Sequence, residues 1–140
     1  VLIAGHFWNQ DSPHFFTADD LNSEEFGISL VSDISCDVPG PIPTTLRTSE
    51  IESPFYDVNT STLTEQKPFS SSSHVTVTAV DNLPAALPMD ASRSFARDLY
   101  HEVFPFLFGE DRENIIERAT ILKEGKLTPR FSYLNDFLEE

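Results

Sequence analysis

Cysteine is nearly absent: Cys36 stands alone in a chain of 140 residues. A lone thiol rules out a disulfide framework and suits a reducing cytoplasm, the location expected from the sequence. Basic residues are scarce, nine Lys and Arg against 23 Asp and Glu, for a net charge of -14. Phosphate backbones need a basic face, so no nucleic-acid partner is expected. The plain consequence of that charge is solubility. No apolar run approaches about 20 residues, so no transmembrane span and no membrane partner are expected. The four histidines, His6, His14, His74 and His101, are scattered, and no two have metal-ligand spacing, which argues against zinc.

What is present is an alternation of short apolar strands with turn signals. Residues 1–8, V-L-I-A-G-H-F-W, read as a strand apolar on both faces, as an interior parallel strand should be. The chain opens at Val1 inside that strand, and is expected to be cut from something longer. His6 reads as a satisfied core histidine. Thr17 is placed to cap a short helix start. Residues 28–34 form a second buried strand ending in Ser35-Cys36-Asp37, where Cys36 reads as an inert small core residue. Residues 39–74 are rich in Pro, Ser and Thr and show no helical period. They read as an extended excursion over 47–57 and a polar loop over 59–73, with Ser70 to Ser73 the expected disordered spot.

The stretch that organises the rest is residues 74–92, H-V-T-V-T-A-V-D-N-L-P-A-A-L-P-M-D-A-S. Val75, Val77 and Ala79 alternate with Thr76, Thr78 and Val80, so it begins as a strand. Pro84 and Pro88 then stop sheet pairing, and Asp90 reads as the N-cap of a long helix. That helix carries Phe95, Leu99 and Val103 as a core stripe, with Pro105 kinking or ending it. A short helix over 111–119, two extended pieces around Gly125, and a terminal amphipathic segment over 131–138 follow. Glu139-Glu140 reads as a solvated end. Three strand tips, at Trp8, Asp37 and Asp81, would gather on one rim of a parallel sheet, where ligands bind in α/β folds.

Four segments carry a resemblance: G-H-F-W-N-Q-D-S-P-H-F-F-T, D-I-S-C-D, I-E-S-P-F-Y-D, and V-D-N-L-P-A-A-L-P-M-D-A-S. Together with the tail A-T-I-L-K-E-G-K-L-T-P-R-F-S-Y-L they resemble the C-terminal part of the lysine–2-oxoglutarate reductase, or lysine-forming saccharopine dehydrogenase, family. That family is grouped with alanine dehydrogenase and the transhydrogenases. The resemblance covers nearly the whole chain, and the D-N-L-P-x-x-L-P run is its most specific part. It implies an α/β fold: the C-terminal fragment of a two-domain Rossmann-type dehydrogenase, with parallel strands followed by a long crossover helix. Residues 1–89 would then close the nucleotide-binding domain, and residues 90–140 would supply the crossover helix and closing segment of the other domain.

The resemblance also implies site residues. Trp8, Ile34, Val80, Asp81, Asn82 and Leu83 fall on cofactor-contacting positions, the cofactor being NAD or NADP. Ser35, Cys36 and Asp37 fall on the segment that contacts saccharopine, so the partner is a small amino-acid substrate. A glycine-rich G-x-G-x-x-G loop is absent, as is the acidic ribose reader that follows it. The catalytic lysine and histidine implied by the family are not matched by any residue here, so the chain alone should not transfer hydride. An alanine dehydrogenase-like enzyme or a transhydrogenase subunit is the alternative within the group, but an alanine dehydrogenase would show N-M-P-G where this chain has N-L-P-A. A non-catalytic module binding a nucleotide or a partner chain is the alternative of another class. Exposed apolar sheet surface would drive self-association, giving a homodimer.

Overall fold

Five short strands make the main sheet: β1 (Leu2–Ala4), β2 (Leu30–Asp33), β3 (Phe55–Asn59), β4 (Thr64–Gln66) and β5 (His74–Thr78), in the order β1-β2-β5-β3-β4. The computed structural model describes residues 1–9 and 12–138; Gln10 and Asp11, in the loop expected after β1, and Glu139 and Glu140 lie outside them. The chain divides into two compact units, Val1–Ala86 and Leu87–Glu140.

In the first unit the β-branched run of β5 takes the centre, parallel to β2 and antiparallel to β3. Val75 and Val77 are buried with Val31, Tyr56, Val58, Ile42, Phe16 and Leu21 in one core. Each such side chain contributes about 1.5–3 kcal/mol on leaving water. The parallel pairs run Ala4 beside Asp33 and Ser32 beside Thr78, so β1, β2 and β5 end on a common rim.

Several expectations need correction. The sheet is mixed, because the 39–74 segment supplies the antiparallel pair β3–β4 in place of an excursion and a loop. β1 is three residues long, not eight, because β2 offers a partner only to residues 2–4. It lies at the sheet margin, and Ile3 is 68% exposed, so it is not an interior strand here. The Ser70 to Ser73 turn is fixed: the Ser70 N–H donates to Asp57 at 2.8 Å, and Ser71 and Ser73 hydroxyls bond at 2.9 Å. Thr17 forms a reciprocal pair with Asp20, through N–H and Oγ1 to the carboxylate at 2.7 and 2.8 Å, beside a single 3-10 turn at Asp20–Asn22.

The second unit opens with α1 (Pro88–Asp98), which continues through a π-turn at Leu99–Val103 into α2 (Phe104–Leu107). Leu87 occupies the N-cap position and Pro88 the first turn, so Asp90 sits inside the helix and is not the cap. Proline suits that position because its missing N–H would be unpaired there anyway. Pro105 likewise cannot donate to the turn before it, and the widened π-turn lies just upstream. The Phe95 stripe is not core: no residue of α1 is buried and Phe95 is 66% exposed, α1 packing among the described residues chiefly on the π-turn that follows it. α3 (Ile115–Ala119) begins later than expected, with Asp111 accepting the Ile115 and Glu117 N–H groups at 2.7 and 3.0 Å. β6 (Leu122–Lys123) and β7 (Lys126–Leu127) form a hairpin whose turn residues Glu124 and Gly125 have φ of 53° and 78°. A 3-10 segment, Pro129–Phe137, completes the unit, broken at Phe131. No helix among the described residues is long and apolar enough to cross a membrane.

Candidate functional site: the carboxyl rim of the parallel strands

β2 ends on Asp33, which follows Val31 with a period of two and so points into the protein. Its carboxylate is 1% exposed. Oδ1 accepts the Ser35 N–H at 3.0 Å, the Ser35 hydroxyl at 2.5 Å and the Cys36 N–H at 3.2 Å. Oδ2 accepts the Thr45 hydroxyl at 2.7 Å. A buried carboxylate is tolerable only with such a full set of donors. The outcome is a tight turn in which Cys36 takes φ 55° and its thiol donates to the Asp33 carbonyl at 3.2 Å. The turn then folds back so closely that a Cβ on Gly40 would stand 2.3 Å from the Asp37 carbonyl oxygen, which is why glycine is needed there.

Next along the rim, β5 delivers the second segment. Ser49 clamps its end: the Ser49 N–H donates to the Ala79 carbonyl at 2.8 Å, and the Ala79 N–H donates to the Ser49 hydroxyl at 3.1 Å. Val80 is buried beside this clamp, pairing with Ser49 as an isolated bridge. Asp81, Asn82 and Leu83 then emerge exposed, and Asn82 accepts the Ala85 N–H at 3.1 Å as the chain turns into a 3-10 stretch, Leu83–Ala86.

The two segments meet electrostatically at Cys36. Partial burial pushes its thiol pKa up, and the negative charges of Asp33, Asp81 and Asp37 push it further. Asp37 and Asp81, from the ends of neighbouring strands, thus act on one thiol at one rim. Cys36 itself is half-buried and packs against the core from its edge, the left-handed turn setting it off the strand. Ile34 donates its N–H to the Ala4 carbonyl at 2.7 Å and leaves its side chain half exposed. Asp37 is exposed and Ser35 half-buried.

Past β1, Trp8 stacks edge-on against His14 at 5.6 Å, and His6 lies on Phe15 at 4.4 Å. Neither His6 ring nitrogen has a hydrogen-bond partner among the described residues, so His6 is not the satisfied histidine expected; it follows Gly5 beyond the paired part of β1, where no donor or acceptor reaches it. The Trp8 indole N–H is likewise unpartnered. No hydrogen bond or ring contact joins Trp8 to the 34–37 or 80–83 segments among the described residues. No group of three or more His, Cys, Asp and Glu among the described residues could hold a metal ion.

Asp33, Thr45 and Ser49, which build this rim, are not among the residues singled out from sequence. A signal for Asp33 exists: an Asp at the end of an apolar strand with Ser two residues on is the pattern of a side chain turning back onto its own backbone.

No protein-family model matches the chain. It is 28% identical to the mitochondrial alpha-aminoadipic semialdehyde synthase of Mus musculus over 165 residues, covering 99% of this chain and 18% of that protein. The Rattus norvegicus protein of the same name is also 28% identical, with the same coverage. Saccharopine dehydrogenase (NAD(+), L-lysine-forming) of Emericella nidulans is 29% identical over 105 residues, covering 73% of this chain and 26% of that protein. The chain therefore spans 18–26% of the length of these relatives, and its similarity to them supports the semialdehyde synthase and saccharopine dehydrogenase family.

Proposed function

We propose that the chain is part of an NAD(P)-dependent oxidoreductase that forms or cleaves saccharopine, the adduct of lysine and 2-oxoglutarate. The placing of the Ser35–Asp37 and Val80–Leu83 segments after neighbouring parallel strands, β2 and β5, on one sheet rim is the observation that carries this reading. Likeness to a saccharopine dehydrogenase across 73% of the chain supports it. On this reading Ser35, Cys36 and Asp37 meet the amino acid. Asp37 holds a cationic amine by a charge-assisted hydrogen bond. Trp8, Ile34, Val80, Asp81, Asn82 and Leu83 line the dinucleotide.

The rim suits one end of such a cofactor. It offers the Asn82 amide and the exposed Asp81 carboxylate, groups that match a carboxamide and a ribose hydroxyl. It has no glycine-rich phosphate cradle. The dinucleotide, when bound, supplies the hydride acceptor or donor; the chain's own residues bind and orient, and none of them is assigned a proton-transfer role. Asp33 acts at one remove, by holding the turn that carries Asp37.

In the intact enzyme, Asp37→Asn is expected to lower kcat/KM for saccharopine about 10- to 100-fold, the worth of one charge-assisted hydrogen bond, while leaving NADH affinity nearly unchanged. An unaltered kcat/KM would overturn the assignment. The 140-residue chain alone is expected to show no lysine-dependent NAD(P)H oxidation.

A further inference from the structure

Residues 42–49 belong to no helix or named strand, yet Ile42, Thr44, Thr45 and Ser49 are all buried. An irregular segment is seldom buried, because its backbone N–H and C=O groups then need partners inside the protein. Here β3 anchors the middle: the Tyr56 hydroxyl accepts the Leu46 N–H and donates to the Arg47 carbonyl, each at 3.1 Å. On one side of that anchor, Thr45 donates its hydroxyl to Asp33 Oδ2 at 2.7 Å, behind the Ser35–Asp37 turn. On the other side, Ser49 exchanges two bonds with Ala79 and pairs with Val80, at the root of the Val80–Leu83 segment. The Ser49 hydroxyl donates in turn to the Pro54 carbonyl at 2.9 Å, next to β3. The paired register of β2 and β5 stops at Ser32 and Thr78. Beyond it, no hydrogen bond joins residues 35–37 to residues 80–83 among the described residues.

We infer that residues 42–49 act as a strap that sets the two segments relative to each other, with Thr45 the positioning residue for the amino-acid side and Ser49 for the dinucleotide side. Thr45 and Ser49 are 5% and 6% exposed, so each acts through another residue and not by touching a ligand. Thr45 acts through Asp33. Without its hydroxyl, Oδ2 is a buried oxygen short of a donor, and the carboxylate is free to turn away from the Ser35 and Cys36 N–H groups. Ser49 acts through Ala79. Without its hydroxyl, the buried Ala79 N–H loses its acceptor and the exit of β5 loosens. The two contacts lie on opposite sides of the Tyr56 anchor, so each substitution disturbs one segment and spares the other. The assignment of the two sides rests on the proposed reading of the rim as a saccharopine and dinucleotide site; the strap's hold on the two strand ends does not.

The test is steady-state kinetics and NADH titration on the intact enzyme, with iodoacetamide labelling of Cys36 read on its peptide by mass spectrometry. Thr45→Val is expected to raise KM for saccharopine about three- to tenfold, the worth of one hydrogen bond, with kcat and the NADH Kd nearly unchanged. It should also speed Cys36 alkylation severalfold. Ser49→Ala is expected to do the reverse, raising the NADH Kd by a similar factor and leaving saccharopine KM and Cys36 alkylation unchanged. Thr45→Ser, which keeps the hydroxyl, should match the parent. Equal effects of either substitution on both ligands, no effect on either, or a Thr45→Ser variant as impaired as Thr45→Val would each overturn the inference. If Asp37→Asn leaves kcat/KM unaltered while Cys36 labelling separates Thr45→Val from Ser49→Ala, the strap stands and the reading of the rim falls. If a variant does not fold, hydrogen exchange of the unaltered enzyme decides: the Ser35, Cys36 and Ala79 amides are expected to be protected to within about tenfold of Thr45 and Ser49. Free exchange at Ser35 and Cys36 beside a protected Thr45 would overturn the inference.

Discussion

Cys36 is held where burial and three carboxylates, Asp33, Asp81 and Asp37, all favour its protonated form. A thiol whose pKa is raised keeps less thiolate near neutral pH, and the thiolate is the nucleophile. Iodoacetamide should therefore alkylate Cys36 more slowly than free cysteine at pH 7 to 8. Asp81→Asn removes one of the opposing charges, so it should speed alkylation severalfold at fixed pH and move the rate profile to lower pH. An unchanged profile would mean that Asp81 does not share the rim with the thiol. The residues at the strand tips were legible because exposed turn residues follow an apolar alternation, which marks Asp37 and Asp81. Thr45 was not legible: it closes on Asp33 from 12 positions along the chain, a distance no local pattern encodes.

At the scale of elements, Asp57 ties β3, β5 and the preceding turn together. Its side chain is fully buried and accepts from the Thr76 hydroxyl at 2.7 Å and from the Ser70 N–H at 2.8 Å. Burial alone would raise its pKa, but the bonds from Thr76, the Phe69 and Ser70 backbone and the Ser70 hydroxyl outweigh burial and hold it below the usual carboxylate value. A carboxylate whose folded pKa is depressed contributes its full stability above its unfolded value. That contribution is lost as pH falls through the folded one. Asp57→Asn should lower stability by about 1–3 kcal/mol at pH 7 in urea unfolding, and flatten the loss of stability on acidification below about pH 4. A variant as acid-sensitive as the parent would remove Asp57 from this role.

The same elements show why the β3–β4 pair escaped sequence reading. F-Y-D-V-N places a charge mid-strand, T-E-Q is wholly polar, and the turn between them puts Leu63, not glycine or asparagine, at φ 50°. What holds the pair is tertiary. Arg47 forks onto Glu65 with two contacts of 2.8 Å, and its guanidinium lies 4.6 Å above the Tyr56 ring. By contrast, the parallel strands and the glycine hairpin at 122–127 follow from local pattern, through β-branched alternation and a turn that requires positive φ.

For the molecule as a whole, a net charge of -14 sets long-range repulsion against the apolar surface around β1, where Val1, Ile3 and Phe7 are exposed. The chain is expected to self-associate through this margin, more strongly as salt screens the repulsion. Ile3→Lys should shift sedimentation toward the monomer at both low and high salt. A parent chain that stays monomeric at all salt concentrations would refute this.

The opposite margin of that sheet is β4, three exposed polar residues, with Glu65 already committed to Arg47. Growth by strand addition is thereby one-directional: two copies can zip β1 to β1 about a two-fold axis, but each then turns only its blunt side outward. Such a pair is expected to close on itself, stopping at the dimer and not growing into a fibre.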